Sequence, residues 1–389
     1  MTAQTASRAG AAPARTPQRT RTHTFVVVGD LHLTDVPTSA AGRLAGLAGT
    51  LAARADSGRG SVSLVLMGDV FDLVQVRSGM HAQLGGRLAQ GDPVALDKLE
   101  RIARANGEAF SALGRIALAG GTVELLAGNH DPELARPAVQ KRIRDLVLPR
   151  DAPLAARARI AFHPFALYRP GVLYAEHGHR YHAINASPPA LRAHLEGVDE
   201  QIGHPLGSLL TAILSSSERD ARARARETAR LAPVLLRSLA RALAARRHPP
   251  ACTIGGDERL LAHVAETTGL PERAVAAIDR LPPPEVGIRR MLGLTGPDEP
   301  NMARAARAVH AVLAAESVEA PFYCFGHTHV ADRRSLGAAG AAEYLNAGAF
   351  GLRADSARSH GYVIIKERPG KAPLARLCDA GDGPGAPSR

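Results

Sequence analysis

Five times along this chain a short apolar run ends abruptly in polar residues, four times at a glycine. The runs cover 24–29, 62–67, 123–127, 172–175 and 321–325. Each is brief and mostly aliphatic or aromatic, which predicts a buried strand rather than a helix. In order, they lead into Asp30-Leu31-His32, Gly68-Asp69 with Asp72, Gly128-Asn129-His130-Asp131-Pro132, Glu176-His177-Gly178-His179 and Gly326-His327-Thr328-His329. Period-two alternation places Asp30 and His32 on one side and Leu31 on the other. Further strands are predicted near 159–163, 343–346 and 362–366. Leu44, Leu47 and Leu51 recur at helical spacing, and helices are also predicted over 93–118 and from Pro132 to about Leu148. Strands alternating with helices define an α/β protein. In open α/β sheets, ligands bind just beyond the C-terminal ends of the strands.

Residues 187–300 break this rhythm. The segment opens at Ser187-Pro188-Pro189 and closes at Gly296-Pro297-Asp298-Glu299-Pro300, far longer than a connection of about 4–6 residues. Its pattern is helical, with Leu231, Leu235 and Leu239 in register, Pro233 opening a helix and a break at Leu281-Pro282-Pro283-Pro284. It reads as an inserted subdomain, a lid or cap. From Glu218 to Arg247 it carries nine arginines against three acids, and 234–245 is an amphipathic helix. That composition fits a solvated basic face, or a cover over an anionic substrate or a membrane surface. The predicted organisation is a disordered basic tail at 1–23, a core in two parts at 24–186 and 301–367, the helical insertion at 187–300 and a flexible tail at 368–389.

Composition narrows the class. The chain of 389 residues is long enough for two domains, or for one large domain with an insertion. With 45% hydrophobic and 4% aromatic residues and no Trp, its core rests on Ala, Val, Leu and Ile. No apolar run approaches the roughly 20 residues that span a bilayer. Cys252, Cys324 and Cys378 are odd in number and far apart, which offers neither a disulfide framework nor a thiolate zinc site and points to a reducing, cytoplasmic compartment. A net charge of +11 suits a polyanionic partner. The aromatics that interleave with basic residues in single-strand binding are scarce, so nucleic acid is allowed but not favoured. Oligomeric state leaves no mark on the pattern.

Asp30, His32, Asp69, Asn129, His177, His327 and His329 together supply two carboxylates, four imidazoles and one amide oxygen. Such a mixed set fits divalent ions of intermediate hardness, manganese first, with iron, zinc, nickel or cobalt as alternatives. Seven ligands exceed the need of one ion with an open position and suit two ions sharing a carboxylate. Two ions about 3.5–4 Å apart can hold a hydroxide and clamp the attacking and leaving oxygens of phosphoryl transfer. Two divalent ions, two carboxylates and a hydroxide leave a charge of about +1, which attracts a phosphate.

In this order, the motifs Asp-x-His, Gly-Asp-x-x-Asp, Gly-Asn-His-Asp, a later His and Gly-His-x-His resemble the signature of the calcineurin-like metallophosphoesterases. The resemblance covers about 24–186 and 300–367. It implies a four-layer α-β-β-α sandwich, two mixed sheets packed face to face with helices outside. It also implies that Asp30, His32 and His329 bind a first ion, that Asp69 bridges, and that Asn129, His177 and His327 bind a second. His130 would protonate the leaving oxygen or donate to the phosphoryl group, as an imidazole can near neutral pH, with Asp131 orienting it. His177 is taken as the ligand of its pair because it directly follows the strand. His179 would face the substrate, and Asp72 would stand behind the ligands. His182 occupies a position where similar Gly-His-x-Tyr sequences carry an Asp.

The implied activity is hydrolysis of a phosphoester by in-line attack of a metal-bridging hydroxide. The substrate would be a phosphomonoester, phosphodiester or pyrophosphate, small or lipid-linked, admitted under the insertion, which could also touch a membrane. One subgroup of the family cleaves the pyrophosphate of a nucleotide-linked acylated sugar and usually has His-Gly-Asp at the fourth motif; here the residues are His177-Gly178-His179. The alternatives are a nuclease, for which the positive charge argues, and a non-catalytic metal-binding module. All seven ligand positions and His130 are present, which argues against the latter.

Overall fold

The computed structural model describes residues 21–58, 60–80, 91–182, 184–186, 188–196, 205–214, 254–281, 301–337, 342–350 and 361–379, with isolated positions between 229 and 240. The strands are β1 (His23–Val28), β2 (Ser61–Leu66), β3 (Thr122–Leu126), β4 (Ile160–His163), β5 (Leu167–Arg169) and β6 (Leu173–Glu176). They continue as β7 (Phe322–Phe325), β8 (Ala331–Ser335), β9 (Glu343–Ala347), β10 (Gly361–Arg368) and β11 (Lys371–Asp379). The larger helices are α1 (Ser39–Asp56), α2 (Asp92–Ala105), α3 (Gly107–Leu118), α4 (Pro137–Val147) and α5 (Leu154–Ala158). After them come α6 (Pro188–Glu196), α7 (Leu206–Leu214), α8 (Glu258–Thr268), α9 (Glu272–Asp279) and α10 (Asn301–Ala315).

Two mixed sheets form, one of six strands in the order β11-β10-β1-β2-β3-β4, the other of five in the order β5-β6-β7-β9-β8. β1 to β4 run parallel, as do β6, β7 and β9. The alternation of side chains sorts the apolar residues into three layers of contact. Val26, Val28, Leu64, Leu66, Val123 and Leu125 meet Leu44 and Leu51 of α1, Phe110 and Leu113 of α3 and Ile143 of α4. Their neighbours Phe25, Val27, Val65, Met67 and Leu126 point the other way, onto Leu173, Ala175, Cys324 and Leu345 of the second sheet. The far face of that sheet, with Tyr174, Tyr323, Phe325 and Tyr344, is covered by α8, α9 and α10. Helix, sheet, sheet and helix are thus four layers.

Several elements differ from the sequence reading. The helix expected over 93–118 is two helices, parted at Asn106. The Asn106 side chain accepts from the backbone N–H and hydroxyl of Thr38 and donates to Thr34 O and Ile102 O, so the break anchors the loop after β1. Residues 371–379, expected in the flexible tail, are the edge strand β11, where Pro373 falls at the register shift opposite Lys366–Arg368, a place that tolerates proline. β1 begins at His23, inside the expected tail. Every named element between 187 and 300 is helical, and α8 and α9 pack in the outer helix layer. The basic run 218–247, Cys252, the Pro282–Pro284 break and 296–300 lie outside the described residues, apart from the isolated positions. Among the described residues no helix is long and apolar enough to cross a membrane.

At the start of the parallel strands, one polar row crosses the inner face of the first sheet. Ser61 Oγ is 2.7 Å from His23 Nδ1, His23 Nε2 is 2.8 Å from Ser63 Oγ, and Ser63 Oγ is 2.6 Å from Thr122 Oγ1. The Thr122 hydroxyl donates to Glu124, which also meets His163 Nε2 at 2.7 Å and Arg169 Nη2 at 2.9 Å. Burial pushes the Glu124 carboxyl up, but His163 and Arg169 outweigh it and hold it at about 2.

Candidate metal centre

The opposite ends of these strands gather the residues singled out from the sequence. β1, β2 and β3 are consecutive neighbours in the first sheet, and β6 and β7 are neighbours in the second, so five polar loops leave from one edge of the sandwich. The loops after β1 and β2 are laced together: the N–H groups of Leu31 and His32 donate to Asp69 O at 3.1 and 2.9 Å, and Asp72 N–H donates to Leu33 O at 2.9 Å. The glycines that end the strands are needed for this approach. A Cβ on Gly128 would stand 2.0 Å from Asp69 Oδ1, and one on Gly68, whose φ is +87°, would be 2.8 Å from His177 Nδ1.

The side chains converge in three overlapping groups that could hold metal ions: Asp30, His32 and His329; His32, Asp69 and His130; and Asp69, His177 and His327. Asp69 belongs to two of them. His329 Nε2 lies 2.9 Å from Asp30 Oδ2 and 3.1 Å from His32 Nε2. His177 Nε2 lies 3.1 Å from Asn129 Oδ1 and 3.3 Å from Asp69 Oδ2. Atoms held about 2.1 Å from one ion are separated by roughly 3.0–3.4 Å, depending on the coordination geometry. The observed spacings match. Two imidazole nitrogens facing each other can share one proton or one cation, and the buried Asp30 Oδ2 has no aligned hydrogen-bond donor despite its nearness to His329.

Backbone strain marks the same residues. Among the described residues, five that are not glycine have positive φ, and four of them are His32 (+46°), Asp69 (+49°), His327 (+69°) and His329 (+58°). Each left-handed residue costs on the order of 1 kcal/mol, and such strain concentrates at functional sites.

The charges are arranged for cations. Burial raises the Asp30 and Asp69 carboxyls, but the surrounding histidines, His177 above all, hold both below the ordinary carboxylate range. Burial disfavours the charged form of His177, yet Asp69 and Asp30 push it up to about 9. His327 goes the other way: burial, then His177 and His182, hold it well below an ordinary imidazole.

Asp131 does not orient His130. Its carboxylate accepts from the backbone N–H groups of Gly128, Asp69, Val70 and Phe71 at 2.7–3.2 Å, tying the β2 and β3 loops together. Burial and the nearby Asp69 push it up to about 7, against the pull of those donors. The carboxylate on His130 is that of Asp72, with Oδ1 2.9 Å from Nδ1. Asp72 Oδ2 also lies 3.0 Å from His32 Nδ1, and the carboxylate accepts from Gln75 N and Nε2. One buried carboxylate therefore positions both a candidate ligand and the candidate acid. Burial lowers His130, but Asp69 and Asp72 raise it to about 10.

His179 belongs to none of the three metal-holding groups. It packs against His177, with ring centroids 5.4 Å apart, and burial with the neighbouring His177 pushes its imidazole down to about 3. Sequence reasoning passed over Asn346 at the end of β9. Its side-chain amide donates to Gly326 O and Thr328 Oγ1, both at 3.0 Å, and holds the Gly-His-Thr-His loop. The signal was there: an apolar run, a polar residue, then Gly348, as at the other strand ends. Asn185, beside His327, carried no such signal.

The donor set thus fits divalent cations: carboxylate, imidazole and amide groups of the right kind, at ligand-to-ligand spacing, on an edge where two sheets meet. No protein-family model matches the chain, and no curated protein matches its sequence.

Proposed function

We propose that this chain is a metal-dependent phosphoesterase of the calcineurin-like kind, hydrolysing a phosphoester at two divalent ions, manganese first among them. Asp30, His32 and His329 would hold one ion, Asn129, His177 and His327 the other, and Asp69 both. The observation that carries this reading is the set of four ligand-to-ligand distances between 2.9 and 3.3 Å, at two points joined by Asp69. When bound, two such ions supply Lewis acidity toward phosphoryl oxygens and bring the pKa of water near neutrality.

The chain's own residues supply the rest. Asp72 holds His130 by Nδ1, which leaves Nε2 to carry a proton to the leaving oxygen. The field of Asp69 and Asp72 keeps that proton in place, and a cation on Asp69 would offset part of the field and make the proton easier to release. The substrate would be a small or lipid-linked phosphomonoester, phosphodiester or pyrophosphate. The inserted segment adjoins the site, since the Ser208 hydroxyl of α7 is 3.5 Å from Asn129 O.

The test is manganese-reconstituted turnover of p-nitrophenyl phosphate and bis-p-nitrophenyl phosphate by the wild type and Asn129→Ala. Wild-type turnover that falls by about 100-fold or more in the variant is expected, as for loss of one transition-state contact. The preferred substrate separates monoesterase from diesterase. Turnover unchanged by Asn129→Ala would place the chemistry elsewhere.

A further inference from the structure

His327 has two neighbours that the strand-end pattern does not account for. Its Nε2 lies 2.9 Å from His182 Nδ1 and 3.1 Å from Asn185 Nδ2, and that amide nitrogen is 3.0 Å from His182 Nδ1. A neutral imidazole nitrogen offers one proton or one lone pair, so Nε2 is engaged here and Nδ1 is the nitrogen left for a cation. For Nδ1 to present a lone pair, the proton must sit on Nε2. His182 Nδ1 is then the acceptor for that proton, and the Asn185 amide nitrogen, 3.0 Å away, shares the same lone pair as a second, bifurcated donor. Ligating histidines are ordinarily fixed by an acceptor on their other nitrogen, and here that acceptor is another imidazole.

Asn185 is itself held by the inserted segment. It is buried, and its Oδ1 lies 1.7 Å from where a Cβ on Gly207 would stand, so any side chain at that position of α7 would displace the Asn185 amide. Gly207 N–H donates to Ile184 O at 2.8 Å, and Ser208, Leu209 and Ala212 of the same helix are buried. A continuous set of contacts therefore runs from α7 through Asn185 and His182 to His327. Nothing comparable links α7 to Asp30, His32 or His329 among the described residues.

We propose that His182 and Asn185 are positioning residues that set the tautomer of His327, and that α7, seated on Asn185 through Gly207, makes the second cation site depend on docking of the inserted segment. The proposal rests on the two-ion reading above and assigns the two sites different dependence on the insertion. The ion on Asp30, His32 and His329 is held by the core alone; the ion on Asn129, His177 and His327 needs α7 in place.

Manganese titration calorimetry on the full chain, with metal analysis after dialysis, tests this on the wild type, His182→Ala, His182→Asn and Gly207→Ala. Two ions are expected on the wild type. His182→Ala and Gly207→Ala should keep one ion at wild-type affinity and bind the other 10–100-fold more weakly, the usual effect of losing the group behind a ligand. His182→Asn, whose Oδ1 can replace the lost acceptor, should recover most of that affinity. Two ions at unchanged affinity in both weakened variants would overturn the proposal, as would equal loss of both ions. A wild type that binds no ion would instead remove the metal reading itself, and this proposal with it.

Discussion

The same parallel strands carry a buried polar cluster at each end, and the two are built on opposite terms. At the start of the strands, Ser61, His23, Ser63, Thr122 and Glu124 form a row in which hydroxyls and imidazoles alternate as donors and acceptors and the last acceptor is a carboxylate. At the far end, two imidazole nitrogens face each other at 3.1 Å, carboxylate, amide and imidazole atoms converge at 2.9–3.3 Å, and four residues adopt left-handed backbone. The first cluster is complete in itself and serves the fold. The second has a donor set that could hold divalent ions, and its strained loops are laced together by backbone hydrogen bonds. Buried polarity alone therefore does not mark a binding site; what sets this end apart is carboxylates and imidazoles that converge at ligand-to-ligand spacing on strained loops.

The comparison can be sharpened or broken by substitution. The largest effect should come from Asp72→Asn, which weakens the hold on His130 and His32 together. Turnover should fall about 1000-fold, within the range for a general acid, with the acid-base limb of the pH profile displaced while the fold persists. Unchanged turnover and profile would show that Asp72 serves only structure.

Next is Glu124, which should matter for stability and not for metal. Its carboxyl is depressed in the folded chain from an ordinary value of 4.5 to about 2, so its contribution is complete above about 4.5 and is lost as the pH falls toward 2. At about 1.4 kcal/mol per tenfold change in proton affinity, this is on the order of 3 kcal/mol. Urea unfolding of the wild type and Glu124→Gln should differ by about that much at pH 7 and converge toward pH 2. A constant difference across that range would contradict the assignment. The smallest effect is Ser63→Ala, which interrupts the row between His23 and Thr122 and should cost about 1 kcal/mol with metal affinity unchanged. A loss of metal binding there would show that the two ends are not independent.

Much of the site was legible because its signal is local. Each strand is a short apolar run that closes on small or polar residues, and the resulting order of motifs is specific. What was not legible depends on the third dimension. Asp131 follows His130 in sequence, which points to it as the partner, whereas the partner arrives from the loop of the adjacent strand β2. Only the β1-β2-β3 order brings Asp72 to both His32 and His130. Strand β8, Ala-Asp-Arg-Arg-Ser, lies at a sheet edge, buries little and has no apolar pattern to read. The break at Asn106 depends on Thr34 and Thr38, far away in sequence. The placement of α8 and α9 on the second sheet needed the packing of Tyr323 and Phe325.

The most direct test of the central claim is the number of divalent ions the chain holds, by metal analysis of protein loaded with manganese and dialysed, with Asp69→Asn alongside. The account predicts two ions per wild-type chain and, because Asp69 stands in two of the three groups, weakened binding of both in the variant. A wild type with no bound ion, or an Asp69→Asn chain that holds two ions as tightly, would contradict it.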